Sequence, residues 1–222
     1  MKAIAVDGPS GAGKSTMVKG IAQKLGYVYV DTGAIYRAVG LFAAEADIPR
    51  DTIKDVIPRL DEINVNLTYE DGVQKVYLNG KDVSSEIRTP EISLYASAVS
   101  ALPEVRSKLL DLQRDIARKN NVIMDGRDIG TVVLPNADVK IFLTASAEER
   151  ARRRYNELIG KGENVTYEQT LKEVIERDTN DENRAVAPLR PAEDAVIVDT
   201  TGRTKEESLA LLFAEVEKRL GI

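Results

Sequence analysis

The 222-residue chain contains no cysteine, no histidine and no tryptophan. Without cysteine there is no disulfide, no thiolate nucleophile and no sulfur ligand for a metal. Without histidine the commonest general base is also missing, so acid–base work falls to Asp, Glu, Lys or Tyr. No apolar run approaches the ~20 residues needed to span a bilayer. The opening segment Met1-Lys2-Ala3-Ile4-Ala5-Val6-Asp7 reads as a buried strand meeting a carboxylate, not as a signal peptide. A cytoplasmic protein without membrane partners is the expectation. The 31 basic and 36 acidic residues leave a net charge of −5, and the positive excess of a nonspecific nucleic-acid binder is absent. No nucleic-acid partner is expected, and a monomer is, because no exposed apolar patch is legible.

What is present is an ordinary globular balance, 43% hydrophobic and 30% charged. Short apolar runs at Lys2–Asp7, Tyr27–Asp31, Val122–Asp125, Val139–Thr144 and Ala195–Asp199 read as buried strands. Between them lie helical stretches with legible starts. Ser146, Thr166 and Thr204 are each followed three residues later by Glu149, Gln169 and Glu207, the pattern of a capping box. The helix after Thr166 is expected to end near Arg177. Pro90 and Pro103 stand at plausible first helical positions. Strands alternating with helices predict an α/β fold, a parallel sheet with helices on both faces and ligands beyond the strand C-termini. Residues 64–83 depart from this pattern. Val65, Leu67 and Tyr69, then Val73, Val76 and Leu78, suggest antiparallel strands, with turns at Glu70-Asp71-Gly72 and Asn79-Gly80.

Gly8-Pro9-Ser10-Gly11-Ala12-Gly13-Lys14-Ser15 matches the phosphate-binding pattern G-x-x-x-x-G-K-[ST] at every position. Its glycines allow backbone N–H groups to converge on anionic oxygens, and the following helix adds the positive end of its dipole. Lys14 is placed to reach the terminal phosphates of a nucleotide, and the Ser15 hydroxyl to bind Mg²⁺. Such a loop serves GTPases, motors, kinases and switches alike. Asn79-Gly80-Lys81-Asp82 resembles a guanine-reading motif only superficially. The small size favours a kinase acting on a small acceptor.

The arginines suggest a second anion site. Arg37 follows the second strand in Asp31-Thr32-Gly33-Ala34-Ile35-Tyr36-Arg37, Arg127 follows the third in Asp125-Gly126-Arg127-Asp128, and Arg184 opens Arg184-Ala185-Val186-Ala187-Pro188. Each alone reads as a surface ion pair. Together they predict three guanidiniums on one phosphate, which an acceptor carrying its own phosphate requires.

With Gly8–Thr16, Asp31–Arg37, Glu86-Ile87-Arg88-Thr89, Asp125–Val133 and Asn183–Leu189 all in place, the chain resembles the bacterial cytidylate kinase family of nucleoside monophosphate kinases. The resemblance extends over nearly the whole length. It implies a five-stranded parallel sheet in the order 2-3-1-4-5, with a core of 1–40, 84–149 and 180–222. It also implies a CMP-binding insertion at 41–83 and an Arg-rich helical lid at 150–179. It implies that ATP and Mg²⁺ are used to phosphorylate CMP and dCMP. By position, Gly8 to Thr16 and Arg153 would hold ATP, and Arg37, Arg127 and Arg184 the acceptor phosphate. Ser97, Arg106 and Asp128 would meet the cytosine edge and Asp181 the sugar hydroxyls, with Thr32 and Tyr36 lining the pocket.

Arg150, Arg153 and Arg154 share a helix face by spacing, and Arg177 comes from the next helix. One reading is a solvated stripe paired with Glu148, Glu149 and Glu157; the other is a lid whose Arg150, Arg154 and Arg177 join Lys14 in neutralising a transferring phosphoryl group. Asp125 is expected on the metal's water shell, Asp7 as an orienting group at a strand end. The rivals left open are a kinase for another monophosphate (UMP, AMP or GMP) or for a phosphate-free acceptor such as shikimate, and a nucleotide-binding switch without transfer.

Overall fold

The computed structural model describes residues 1–70 and 72–222. Its strands are β1 (Ala3–Asp7), β2 (Val28–Asp31), β3 (Val65–Glu70), β4 (Val73–Leu78), β5 (Lys81–Asp82), β6 (Val122–Gly126), β7 (Val139–Thr144) and β8 (Val196–Asp199). Its α-helices are α1 (Lys14–Leu25), α2 (Thr32–Glu45), α3 (Pro90–Ser100), α4 (Pro103–Lys119), α5 (Ala147–Gly160), α6 (Tyr167–Asn183) and α7 (Lys205–Leu220). The main sheet has five strands in the order β2-β6-β1-β7-β8, and a smaller sheet has the order β3-β4-β5. Counted among its own members, the main sheet reads 2-3-1-4-5; the three small-sheet strands that intervene along the chain account for the higher labels. Where register is defined, β1 pairs with β7 and β7 with β8 in parallel. The fold is α/β, as the alternation of strands and helices predicts.

The chain divides into two compact units: Val28–Val122 with Met1, and Lys2–Tyr27 with Ile123–Ile222. In the second unit the four residues from Ile4 to Asp7 are all buried, the continuous pattern of a strand covered on both faces. Ile21, Ile123, Met124, Ile141, Leu143 and Leu212 are among its fully buried side chains. Helices α6 and α7 start in complete capping boxes at Thr166/Gln169 and Thr204/Glu207. Only half of the expected box forms at α5. The Ser146 hydroxyl accepts from Glu149 N, but the Ser146 N–H donates to Thr201 Oγ1 at 2.9 Å and the Glu149 carboxylate takes Arg153 at 3.0 Å. Helix α6 also outruns the expected end near Arg177. Nothing between there and Asn183 breaks a helix, and the stop comes where Arg184 turns extended, before Ala187 at φ 50° and Pro188.

In the first unit Val65 pairs with Leu78 and Glu70 with Val73 in an antiparallel ladder. Asn79 and Gly80 both take positive φ, as a two-residue hairpin turn demands. Of the other expected turn, Asp71 lies outside the described residues. One expectation is corrected: Val73 does not share the buried face with Val76. Period 2 puts Gln74, Val76 and Leu78 inward together and leaves Val73 exposed. The residues Arg50–Glu62, not assigned from sequence, form 3₁₀ turns that bury Ile53 and Val56. They join a core that runs from Ala34 to Leu109 and includes Ile35, Ile63, Ile87 and Val105. Among the described residues no helix is long and apolar enough to cross a membrane.

Candidate active site

In the second unit the loop between β1 and α1 is built on backbone geometry. Gly8, Gly11 and Gly13 all have positive φ. At Gly8 a Cβ would lie 1.9 Å from the Leu143 carbonyl oxygen, so the neighbouring strand itself excludes any side chain there. Gly13 caps α1 without any side-chain hydrogen bond, leaving the first N–H groups of the helix to serve a ligand. Pro9 and Ala12 are buried, while Ser10 is half-buried and Ser15 and Thr16 are exposed.

Lys14 is buried and folds back over this loop, donating to the carbonyls of Gly8 at 2.7 Å and Pro9 at 2.8 Å. Burial pushes its ammonium pKa well below the ordinary lysine value; Arg127 pushes the same way, against Asp125, Asp7 and Asp181. An anion at this position favours the protonated lysine. The Ser15 hydroxyl donates to Asp125 Oδ2 at 2.7 Å. A hydroxyl beside a carboxylate is a hard-oxygen pair that suits Mg²⁺, which takes its remaining ligands from phosphates and water. Asp7 is turned elsewhere. Its two oxygens accept the N–H groups of Ile129 and Gly130, each at 2.7 Å, and so clamp the π-helical turn Ile129–Val133 that follows Arg127 and Asp128. Burial raises its pKa to about 6 against the pull of those two hydrogen bonds.

Two of the expected acceptor arginines meet around one carboxylate. Arg127 Nε donates to Asp181 Oδ2 at 2.9 Å, and Arg184 lies 3.8 Å from Asp181 and 3.8 Å from Asp128. Arg184 Nε also donates to the carbonyl of Ala187 at 2.5 Å, which the left-handed turn at Ala187 points back towards it. Burial by itself would raise the Asp181 pKa, but the charges of Arg127, Arg177 and Arg184 and the Arg127 hydrogen bond outweigh it and hold the carboxyl below its usual range. The Asp181 carboxyl therefore stays ionised at neutral pH and gathers guanidiniums of the kind suited to an anionic ligand.

Helices α5 and α6 separate the arginines that shared a face by spacing. Arg150 is buried and fixed by four hydrogen bonds: to Ala145 O at 2.8 Å, to Ser10 O in the loop at 3.1 Å, and to both Asp178 oxygens at 3.0 and 2.5 Å. Arg153 pairs with Glu149 and donates to Thr200 O at 2.9 Å. Arg154 pairs with Glu157 at 3.0 Å near the surface. The solvated-stripe reading describes the partners of Arg153 and Arg154 but not those of Arg150. Arg177 is half-buried on α6 and acts electrostatically on Asp181.

In the first unit Thr32 and Tyr36 are buried on α2, and the Arg106 guanidinium sits 5.5 Å over the Tyr36 ring while donating to Ser100 O at 3.2 Å. Ser97 is half-buried on α3. Arg37 Nη2 donates to Asp31 Oδ2 at 2.8 Å. Asp31 also caps α2, its other oxygen accepting from Ala34 N at 3.0 Å. A Cβ at Gly33 would stand 3.2 Å from both Arg37 Nη1 and Asp31 Oδ1, so glycine leaves room for the arginine to fold over the cap.

Two site residues escaped the sequence reading. Asp178 fixes Arg150, and its spacing from Asp181, three apart on one helix face among arginines, was the available signal. Gln74 holds the backbone of Asp31, and its signal was a polar residue in period 2 with Val76 and Leu78 on the inward face of the hairpin.

The cytidylate kinase family model matches residues 4–218. A cytidylate kinase of Caldicellulosiruptor saccharolyticus is 50% identical over 98% of this chain and 96% of its own. A cytidylate kinase of Carboxydothermus hydrogenoformans is 50% identical over 97% of each chain. Among solved structures, a shikimate kinase from Bacteroides thetaiotaomicron covers 100% of this chain and 99% of its own with a TM-score of 0.50 at 13% identity, a likeness of fold alone.

Proposed function

The chain belongs to the cytidylate kinase family, and we propose that it transfers the γ-phosphoryl group of ATP to CMP and dCMP, giving ADP with CDP or dCDP. The observation that carries this reading is a pair of differently built cation sites in one unit. Lys14 lies in the glycine loop, and Arg127 and Arg184 gather on Asp181. The first suits the polyphosphate of a nucleotide, the second an acceptor that brings its own phosphate.

In the proposed mechanism a CMP phosphate oxygen attacks the γ-phosphorus in line, the P–O bond to the β-phosphate breaks, and ADP leaves with the electron pair. The attacking oxygen is already ionised at neutral pH, so a chain without histidine needs no strong base. Catalysis is then positioning and charge neutralisation. The loop from Gly8 to Thr16, with Arg153, holds ATP; Lys14, Arg150, Arg154 and Arg177 neutralise the transferring group. Arg37, Arg127 and Arg184 hold the acceptor phosphate. Ser97, Arg106 and Asp128 read cytosine, whose amino donor and ring acceptors call for an acidic and a basic partner together. Asp181 meets the sugar, and Thr32 and Tyr36 line the pocket. Ser15, with Asp125 through water, would hold Mg²⁺, which when bound neutralises phosphate charge.

The 41–83 segment acts as the CMP-binding insertion, and 150–179 as a lid that excludes water from the reaction. The enzyme works as a cytoplasmic monomer. A coupled ADP-release assay with CMP, dCMP, UMP, AMP, GMP and shikimate tests the reading. CMP and dCMP should stimulate release far above the others; equal stimulation by several acceptors, or slow hydrolysis indifferent to all, overturns it.

A further inference from the structure

On the buried face of the hairpin Gln74 places a side-chain amide at a position where the alternation calls for an apolar side chain. A buried amide is retained only where its hydrogen bonds are met. Here both ends are met by one residue outside the hairpin. Asp31 N donates to Gln74 Oε1 at 2.8 Å, and Gln74 Nε2 donates to Asp31 O at 3.2 Å. The side chain thus pairs with the backbone of Asp31 much as a neighbouring strand would, at the point where β2 ends. The Asp31 carboxylate in turn caps α2 and holds Arg37. The Arg37 Nε is buried and has no hydrogen-bond partner among the described residues, so its guanidinium is fixed chiefly through Asp31.

We propose that Gln74 is a positioning residue for Arg37: by gripping both backbone groups of Asp31 it sets the carboxylate that aims the guanidinium, and so ties the antiparallel insertion to acceptor binding. The hairpin then contributes to acceptor affinity without touching the acceptor. This rests on the proposed role of Arg37 at the acceptor phosphate, and the test keeps the two apart.

Steady-state constants are measured on the full chain for Gln74→Leu, Gln74→Glu, Arg37→Ala and each Gln74 variant combined with Arg37→Ala. Losing the two-bond grip should raise KM for CMP roughly tenfold in Gln74→Leu while KM for ATP stays within about twofold. In the Arg37→Ala background the same change should add less than about twofold, because the group it positions is gone. Gln74→Glu keeps the acceptor for Asp31 N but turns a buried carboxylate oxygen on Asp31 O, so it should raise KM for CMP at least as far as Gln74→Leu and likewise add less than about twofold in the Arg37→Ala background; it carries the cycle if Gln74→Leu does not fold. A rise in KM for ATP equal to that for CMP overturns the positioning role, as does a full penalty persisting in the Arg37→Ala background. Should Arg37→Ala itself leave KM for CMP unchanged, the reading of the acceptor site fails first, and the inference with it.

Discussion

Lys14 and Arg127 belong to the same unit, yet they are held in opposite ways. Lys14 is fixed by two backbone carbonyls five and six residues away. Arg127 is fixed by the side chain of Asp181, 54 residues away. A cation held by backbone depends on the path of a short loop. A cation held by a carboxylate depends on a distant helix arriving in register. The first arrangement tolerates change around it but not within it; the second can be lost from either end.

The sharpest way to break the comparison is at the loop. Lys14→Ala removes a charge that no other loop residue supplies, and kcat should fall by ~10²–10⁴ with the circular dichroism spectrum unchanged. A variant retaining wild-type turnover would remove Lys14 from the chemistry. Asp7 comes next, as the carboxylate that serves backbone rather than a cation. Its folded pKa of about 6 exceeds its ordinary 3.8. The folded state therefore binds the proton more tightly, and stability from this group is full below pH ~4, declines as pH rises towards 6, and is flat above, a loss of roughly 3 kcal/mol. Urea unfolding across that range should show the decline in wild type and not in Asp7→Asn; equal slopes would refute the assignment.

At the carboxylate-held cluster, Arg127→Ala should raise KM for CMP by ~10–100-fold and leave KM for ATP within about threefold. Equal losses for both nucleotides would show that the two cation sites are not separate. The smallest effect belongs to the surface pair. Arg154 and Glu157 are both substantially exposed, so Arg154→Ala should shift the unfolding midpoint by the equivalent of less than ~1 kcal/mol. Any large change in kcat in that variant would then report on the phosphoryl group rather than on the fold.

What was legible follows the same division. The loop from Gly8 to Ser15 and the strand–helix alternation around it were readable because their physics is local: glycine, a lysine and a hydroxyl at fixed offsets. The starts of α3 and α4 at Pro90 and Pro103 were readable for the same reason. Ser146 shows where local reading stops, since half of its box is taken by Thr201, 55 residues on. Arg150 and Arg154 share a face by spacing, yet one is buried against Asp178 and the other lies near the surface, because only tertiary packing decides which side of α5 meets α6. Ser97 and Arg106 came from family resemblance alone; a half-buried serine and a guanidinium over Tyr36 leave no periodic trace.

The Leu143 carbonyl beside Gly8 has an evolutionary consequence. The first glycine of the loop is demanded by the adjoining strand, whatever the loop is asked to bind. A descendant that abandoned nucleotide chemistry while retaining this sheet would still be barred from any larger residue there. A Cβ at Gly13 would meet only the flexible end of Met17 and a distant Arg153, but its φ of 88° still demands glycine there, so that place is held by the loop's own path and not by a neighbouring strand.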